Sequence, residues 1–346
     1  MSDSSAGPGG ATFATLEDVA RAAGVSLATA SRVLNGSTRK VADSYRARVE
    51  VEAARLGYTA NLSAQATARG TAAIIALLVA DIADPYFGQV AAGVVRGADE
   101  AGLVVTIGIT ERDPGREVRL LRALRGQRPR GVILAASRSA ASSEAVLREE
   151  LAGIAAAGGR VVALGPGADG IRSVVIDNRG GARALGSALA ARGYRRAVVL
   201  AAAEGVRTSD ERVAGFAAGF AAAGGAITRI HRGAFTRESG AALAVEALAE
   251  GIEPGTLVFA ISDVVAIGAR SAFAAAGRAV GADIALAGFD DIPTSRDVTP
   301  SLTTVRVPLE QVGYLALRAA VDADWESADP LPLEVVLRES TPGSAA

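Results

Sequence analysis

The order of apolar and polar positions divides the chain into a short helical part and a longer part of alternating strands and helices. Near the amino terminus, one face of a predicted helix carries the apolar residues Leu16, Val19, Ala20 and Ala23. Thr15 can cap this helix, with Asp18 three residues later as in a capping box. Gly24-Val25-Ser26 ends it, and Ser26 can cap a second helix over 27–34. A third helix is predicted over 43–56, closing at Gly57.

From residue 73 onward, short β-rich runs alternate with Ala-rich helical stretches. About ten strands are predicted, over 73–80, 103–109, 131–134, 160–164, 173–176, 197–200, 227–231, 257–261, 284–288 and 303–306. Helices fit between most of them, for example over 87–101, 116–126, 180–191 and 209–223. This alternation implies parallel sheets buried on both faces. Since one doubly wound sheet needs fewer strands, we expect two α/β lobes, with a ligand cleft near the carboxyl ends of their strands.

The same patterns predict the domain boundaries. Residues 1–14 are polar and rich in Gly, Ser and Pro, so we expect a flexible tail. Residues 15–60 are expected to form a helix-turn-helix domain, residues 61–71 a linker, and residues 72–346 a two-lobed domain. The linker is Ala-rich and shorter than the ~12–15 residues at which isolated helices become marginally stable, so its order would depend on context.

Composition excludes several kinds of site. The chain has no cysteine and a single histidine, His231, which removes disulfides, thiolate nucleophiles, Cys-based metal sites and most Ser-His-Asp schemes. Residues 165–170 fit the dinucleotide-binding glycine pattern, but a predicted strand follows them rather than a helix that could hold a pyrophosphate. Asp290 and Asp291 are adjacent and should point apart, with no partner for acid–base catalysis. We therefore expect no catalytic residue, no metal and no cofactor.

The sequence shows no pattern typical of a targeting signal. The first 14 residues lack the positive start of a secretory signal. The longest apolar runs, such as residues 72–80, fall far short of the ~20 residues of a membrane helix. A cytoplasmic protein without a membrane partner is expected.

Charge is distributed unevenly. The whole chain has a net charge of -1, but residues 15–70 carry eight basic and five acidic side chains. A basic head on a mildly acidic body points to nucleic acid at the amino terminus. The second helix can enter a major groove, where Arg reads guanine, Asn pairs with adenine and Leu contacts thymine methyls. Its predicted outward residues are Leu27, Ala28, Thr29, Arg32 and Asn35. Periodicity alone fits an ordinary three-helix bundle with a solvated face equally well.

The residues from Thr15 to Asn35 closely resemble the DNA-binding head of the LacI/GalR family of bacterial transcription repressors. Residues 41–61 are similar to that family's third helix and its exit. The resemblance implies that Leu27 and Ala28 meet base edges, and that Arg32 reads a base. It places these residues at DNA-contacting positions: Thr15, Leu16, Ser26, Leu27, Ala28, Thr29, Ser31, Arg32, Asn35, Tyr58, Asn61 and Thr67. Ala28 has no hydrogen-bonding reach, so it gives no information on the operator sequence.

The linker acquires a role from the same resemblance. In the family it forms a hinge helix when two subunits bind DNA, and a Leu inserts into the minor groove at the centre of the operator. Thr67 stands at that position here. Because Thr is shorter, polar and a poorer helix former, we expect weaker kinking of the DNA, or insertion of a neighbouring side chain.

The rest of the chain resembles the family's effector domain, which has the fold of periplasmic sugar-binding proteins. Tyr86 and Phe87 follow the first strand and could stack on a sugar ring, although a helix entry with core aromatics fits Phe87 equally well. Arg212 matches an arginine that binds ligand hydroxyls in the family. The alternative interpretation is an arginine on the exposed surface of a helix. Asp290 matches a ligand-binding carboxylate of the family. The alternative interpretation is that it caps the turn after the strand.

Three further positions follow from the resemblance. Ser262 and Asp263 begin a segment similar to the family's Asn-Asp-x-x-Ala-x-Gly motif, with Ser262 in place of Asn. Asp263 is expected chiefly to cap a helix that begins at Val264. Phe235 falls where some members stack an aromatic ring on the sugar. Gly165 replaces a polar, ligand-facing residue, which leaves the effector undefined.

These observations predict a homodimeric or tetrameric repressor of carbohydrate uptake or catabolism genes. Two heads would bind a near-palindromic operator in double-stranded DNA. A sugar-like effector between the lobes would control DNA affinity. A ligand carrier of a transport system and an enzyme on a doubly wound fold are the alternatives. Both lack a sequence feature in their favour, namely an export signal for the first and a nucleophile or cofactor loop for the second.

Overall fold

A computed structural model describes residues 14–34, 41–59, 71–136, 144–165, 170–253, 255–326 and 329–343. The chain divides into two compact units, Met1–Ala72 and Ala73–Ala346. The helices of the described part are α1 (Leu16–Ala23), α2 (Leu27–Leu34), α3 (Asp43–Arg55), α4 (Pro85–Glu100), α5 (Pro114–Gln127), α6 (Glu144–Ala156), α7 (Asn178–Ala191), α8 (Arg207–Ala222), α9 (Arg237–Glu250), α10 (Asp263–Ala275), α11 (Thr294–Asp297) and α12 (Leu309–Val321). Its strands are β1 (Ala72–Val79), β2 (Val104–Ile109), β3 (Pro129–Leu134), β4 (Arg160–Leu164), β5 (Arg172–Val174), β6 (Arg196–Ala202), β7 (Ala226–Gly233), β8 (Thr256–Ala260), β9 (Ala285–Ala287), β10 (Thr304–Arg306) and β11 (Glu334–Val336).

The described residues of the first unit form three helices around one apolar core. The predicted capping box of α1 is confirmed: the Asp18 N–H donates to Thr15 Oγ1 at 3.2 Å, and the Thr15 N–H donates to Asp18 Oδ2 at 3.0 Å. Gly24 ends α1 in the left-handed conformation with φ 60°. Ser26 caps α2, since its Oγ accepts from the Thr29 N–H at 3.2 Å. The core residues of this unit are Val19, Ala20, Ala23, Ala30, Val33, Val49 and Ala53.

The second unit has the two α/β lobes that the alternation predicts. The first lobe is a five-stranded sheet in the order β2-β1-β3-β4-β5, and the second a four-stranded sheet in the order β7-β6-β8-β9. Every strand pair of the second sheet runs parallel, as do β1–β2, β3–β4 and β4–β5 of the first. The strand β11 was not predicted. It has three residues, too few for a period-2 pattern, and exists through antiparallel pairing with β10.

The chain crosses between the lobes at one side of both sheets. It leaves the first lobe after β5, returns after β10 into α12, and leaves again towards β11. Bridges between Ile176 and Leu331 and between Asp290 and Arg306 join these crossing segments. Since β5 and β9 are the edge strands nearest the crossings, β2 and β7 are the edge strands on the opposite side.

Helices of the second unit pack in pairs through glycines. In α4 and α12, a Cβ at Gly93 would overlap the carbonyl oxygen of Glu310, and a Cβ at Gly313 would overlap that of Val90. Glycines make the same approach possible between α7 and α8 and between α9 and α10. Within the described ranges, no helix is both long and apolar enough to cross a membrane.

Candidate functional site

A cavity lies between the two lobes, where the carboxyl ends of the two parallel sheets face each other. Its walls come from the residues that follow β1, β2 and β3 in the first lobe and β6, β7 and β9 in the second. The lining residues are Asp84, Tyr86, Phe87, Arg112, Ala135, Thr208, Arg212, Phe235 and Asp290. Five of the seven residues singled out as effector contacts therefore meet in one cavity, because the lobes bring segments distant in sequence together.

Arg212 is the buried cation of this cavity. It lies on α8 with 2% of its side chain exposed, so the interpretation of a surface helix position is wrong. Its Nε–H donates to Asn178 Oδ1 at 2.9 Å, and its NH1 group donates to the Ile261 carbonyl at 2.7 Å. The guanidinium carbon lies 3.9 Å from the centre of the Phe289 ring. These contacts fix the guanidinium plane with one edge towards Asp290.

Asp290 is the buried anion opposite Arg212. The Arg212 NH2 atom lies 2.8 Å from Asp290 Oδ1, forming an ion pair. Oδ1 nevertheless has no donor at hydrogen-bonding angles, so it keeps an open acceptor position. Burial raises the pKa of Asp290 to about 7, although Arg212 favours the ionised form. This carboxylate can accept a hydrogen bond from a ligand hydroxyl.

Three residues around the start of α4 form part of the first-lobe wall. Asp84 caps the helix, since its carboxylate accepts from the Tyr86 N–H at 2.9 Å. Burial raises the pKa of both Asp84 and Tyr86. The rings of Tyr86 and Phe87 meet edge to face, with 5.0 Å between their centres. Phe87 is 3% exposed and lines the cavity as well as the core, so its two interpretations are compatible.

Arg112 is a cavity residue that sequence reasoning missed. It follows β2 with φ 55°, and its guanidinium carbon lies 5.0 Å from the centre of the Phe235 ring in the other lobe. Its Nε is buried without a hydrogen-bond partner. Burial lowers the pKa of Arg112, against the opposing charges of Asp84 and Asp81. The available signal was its place directly after the predicted strand over 103–109, where parallel strands present functional side chains.

Ser262 and Asp263 lie outside the cavity lining. The helix begins at Asp263 rather than Val264, and Ser262 caps it by accepting from the Val265 N–H at 3.4 Å, so the expected capping role of Asp263 is wrong. The Asp263 carboxylate instead accepts from Thr304 Oγ1 at 2.7 Å and from the Ile292 N–H at 3.0 Å. It thereby ties α10 to the crossing segments. Gly165 has φ 123° and is also absent from the lining, and residues 166–169 lie outside the described residues.

The predicted DNA-contacting residues on α2 form an outward face. Leu27, Ala28 and Arg32 are exposed, and half of the Leu27 side chain is open to solvent. Thr29 and Ser31 are half-buried, and the Thr29 hydroxyl is hydrogen-bonded to that of Ser26 at 2.9 Å. An exposed apolar side chain beside an arginine on a short, capped helix suits a groove of DNA.

The remaining predicted DNA contacts lie on other elements. Thr15 is exposed but its hydroxyl caps α1, Leu16 is half-buried, and Tyr58 packs against the core of this unit. Asn35, Asn61 and Thr67 lie outside the described residues.

Comparison with known protein families gives a match in each of the two units. A sequence profile described as bacterial regulatory proteins of the lacI family matches residues 15–61, and one described as a periplasmic binding protein-like domain matches residues 187–341. The transcriptional regulator DegA of Bacillus subtilis is 31% identical over 335 residues, which cover 94% of this chain and 98% of DegA.

Solved structures agree with this similarity. The Lac repressor dimer bound to operator and the anti-inducer ONPF matches with a TM-score of 0.80 at 25% identity, covering 95% of this chain and 99% of that one. The complex of the regulator CelR with cellobiose matches with a TM-score of 0.67 at 30% identity, covering 94% and 99%. The predicted family and the predicted fold class are confirmed. The chain belongs to the LacI family of bacterial regulatory proteins and is a DNA-binding transcriptional regulator.

Proposed function

We propose that the protein is a repressor of carbohydrate uptake or catabolism genes, acting in the cytoplasm as a homodimer on a near-palindromic operator. The exposed face of α2 supports binding in the major groove. A two-fold symmetric dimer would present two such helices to the two half-sites of an operator. The similar Lac repressor is a dimer on its operator, which supports the same assembly here.

The effector is a small polyhydroxylated molecule of the sugar class, bound between the lobes. The main support for this proposal is the cavity itself, which combines a buried Arg212–Asp290 pair with the rings of Tyr86, Phe87 and Phe235. Aromatic rings suit the apolar faces of a sugar, and the charged pair suits its hydroxyls. The similar regulator CelR is known in complex with cellobiose, which favours this class of ligand.

Two buried polar atoms in the cavity match a hydroxyl-bearing ligand. Asp290 Oδ1 in the second lobe is a buried acceptor, and Arg112 Nε in the first lobe carries a buried donor. A hydroxyl group both donates and accepts hydrogen bonds, so one polyol can be hydrogen-bonded to both lobes at once. Such a ligand would have different affinities for different lobe arrangements, which is the requirement for shifting the population of DNA-binding states.

Selection of genomic fragments by the purified protein tests the DNA-binding part. Fragments bound at roughly physiological salt would be sequenced, with and without a panel of mono- and disaccharides. The expected result is a short two-fold symmetric site upstream of transport or catabolic genes, with affinity that falls steeply with salt because phosphate contacts release counterions.

The same experiment can contradict the proposal. Enrichment without a symmetric site would mean that the head binds DNA through charge alone. An enriched site that no sugar of the panel strengthens or weakens would count against a sugar effector. The genes next to the enriched site then indicate which other small molecules to titrate.

A further inference from the structure

The described residues that line the cavity carry as many negative as positive charges. Its charged groups are two carboxylates, those of Asp84 and Asp290, and two guanidiniums, those of Arg112 and Arg212. Each lobe contributes one group of each sign, since Asp84 and Arg112 follow strands of the first sheet, whereas Arg212 and Asp290 follow strands of the second. Whether the cavity suits a charged or an uncharged ligand depends on how these four groups are paired.

The guanidinium of Arg212 is paired by the protein itself. Its Nε–H donates to Asn178 Oδ1, its NH1 group donates to the Ile261 carbonyl, and its NH2 atom lies 2.8 Å from Asp290 Oδ1. All three nitrogens therefore have an acceptor or an anion of the protein beside them. A ligand anion that approached this buried guanidinium would also approach the Asp290 carboxylate, which would repel it.

Arg112 is the second cation of the cavity, and its surroundings are acidic. Burial lowers the pKa of Arg112, and the nearby charges of Asp84 and Asp81 oppose this shift. The Arg112 Nε atom is buried without a hydrogen-bond partner, so its N–H can donate to a ligand. A neutral hydroxyl oxygen can accept from this donor without bringing a negative charge towards Asp84.

Asp84 also changes the electrostatics at the start of α4. The amino terminus of a helix attracts anions, because its first N–H groups have no partner within the helix and the helix dipole is positive there. The Asp84 carboxylate accepts from the Tyr86 N–H at 2.9 Å and places a negative charge at this terminus. Both residues line the cavity. A position that would otherwise suit a phosphate group is thus taken by a carboxylate of the protein.

We propose that Asp84 makes the effector site selective for uncharged sugars, so that phosphorylated sugars and sugar acids are excluded. The inference rests on the proposed function in one respect, namely that the cavity is the effector site. Asp84 is then a specificity-determining residue, because it balances the charge of Arg112 and occupies the helix terminus. The sensed carbohydrate is one that transport or glycoside hydrolysis supplies and that a later phosphoryl transfer or oxidation consumes.

Inorganic phosphate is a probe of anion binding that requires neither the effector nor the operator. The only tryptophan of the chain, Trp325, belongs to the second unit, so its fluorescence follows the unfolding of that unit in the full-length protein. The unfolding temperature is measured at increasing concentrations of sodium phosphate and in sodium chloride of equal ionic strength. A pH of 8 lies above the pKa of Asp290, which burial raises to about 7, so that this carboxylate is ionised.

Arg112→Met gives the general effect of phosphate on stability, because this variant lacks the cation of the first-lobe wall. The unsubstituted protein should show the same difference between the two salts as Arg112→Met. Asp84→Asn keeps an oxygen that can cap α4 but removes the charge. Phosphate should therefore raise the unfolding temperature of Asp84→Asn by an additional amount of about 2–4 °C at about ten times its dissociation constant.

Asp99→Asn is the matched control, since it removes an exposed carboxylate at the other end of α4. It should respond to phosphate as the unsubstituted protein does. Stabilisation of the unsubstituted protein by phosphate beyond that of Arg112→Met would overturn the proposal. An Asp84→Asn protein that phosphate stabilises no more than it stabilises Asp99→Asn would overturn it as well.

Sugars test the same selectivity directly. For any sugar that changes operator binding, the phosphate ester and the uronic acid of that sugar should bind at least about a hundredfold more weakly, because each brings an unpaired charge into the cavity. A phosphate ester that binds as tightly as its parent sugar would contradict the proposal. If no sugar changes operator binding, the proposed function fails, whereas the phosphate titration still decides whether the cavity excludes anions.

Discussion

At the scale of the residue, the proposed effector cavity contains charged groups that are buried, and burying a charge costs free energy unless the charge is paired. Arg212 and Asp290 are both nearly inaccessible to solvent and form an ion pair, and Arg212 also donates to Asn178 and to the Ile261 carbonyl. Removing one member of such a buried pair leaves an uncompensated charge, whereas removing an exposed ion pair changes little. The cavity is therefore sensitive to single substitutions.

Arg212→Met should lower the free energy of unfolding by about 3–5 kcal/mol, because Asp290 loses its cation and Asn178 its donor. It should also abolish sugar binding while leaving operator binding by the folded protein in place. Arg207→Met on the same helix is the control, since Arg207 is exposed and pairs with Glu211 at 3.0 Å. Denaturant unfolding and calorimetric titration measure both effects. An Arg212→Met protein that still responds to the effector at its usual concentration would contradict the assignment.

The pH dependence of stability should report on Asp290. Burial raises its pKa to about 7 in the folded protein, above the value of 3.8 expected when it is exposed. The folded state therefore binds more protons than the unfolded state between these values, so stability falls as the pH rises towards 7. One such group changes the free energy of unfolding by at most about 1.4 kcal/mol per pH unit.

Asp290→Asn removes this contribution. Denaturant unfolding at several pH values between 5 and 8 should show a shallower decline for the variant than for the original protein. Asp84 and Asp263 also have raised pKa values and remain in both proteins, so only the difference between the two profiles is informative. Parallel profiles would show that Asp290 is ionised throughout this range.

At the scale of the element, the helix pairs of the second unit approach each other as closely as their backbones allow. Gly93 and Gly313 face the opposite backbone across the α4–α12 pair. Two arginines of the neighbouring strands also contact the carboxyl end of α12. Arg172 NH1 on β5 donates to the Ala319 carbonyl and Arg160 NH1 on β4 to the Val321 carbonyl, both at 2.7 Å. These donors satisfy carbonyls that have no partner within a helix.

Gly313→Ala should lower the free energy of unfolding by about 1–3 kcal/mol, because the added methyl group forces the two helices apart. The matched control is Gly88→Ala on α4, where a Cβ would meet no atom within 4 Å. That substitution should raise stability by up to about 1 kcal/mol, since alanine is the better helix former. Thermal and denaturant unfolding measure both variants. Equal effects of the two substitutions would show that the close approach is not limiting.

At the scale of the whole molecule, the proposed base recognition and the proposed effector recognition belong to different units of the chain. The first unit carries the exposed face of α2, and the second unit carries the cavity. A substitution in one unit should therefore remove one recognition and spare the other. This separation is expected of a protein whose two ligands are linked only through population shifts.

Arg32→Ala should weaken discrimination between the operator and unrelated DNA by about 1–3 kcal/mol, while effector binding remains. Fluorescence anisotropy with operator and scrambled duplexes measures it. Arg55→Ala is the control for loss of one positive charge from the same unit, because Arg55 is exposed and paired with Glu52. If the Arg32→Ala protein discriminates between the two duplexes as strongly as the original protein, base recognition lies with other residues.

The sequence alone determined those features that depend on local periodicity and caps. The capping box at Thr15 and Asp18, the turn at Gly24 and the alternation that predicts two parallel sheets all follow from residues close together in the chain. Resemblance to a family added Tyr86, Phe87, Arg212, Phe235 and Asp290, all of which line one cavity.

Only the tertiary structure decided what depends on residues far apart in sequence. It placed Arg112 over Phe235, assigned the oxygens of Asp263 to Thr304 and Ile292, and paired the three-residue strands β10 and β11. It also showed that Arg212 is buried, which its pattern on α8 did not reveal. The reason is physical: hydrogen bonds and apolar spacing within an element are set by its own residues, whereas burial and contacts across a cleft are set by which elements the fold brings together.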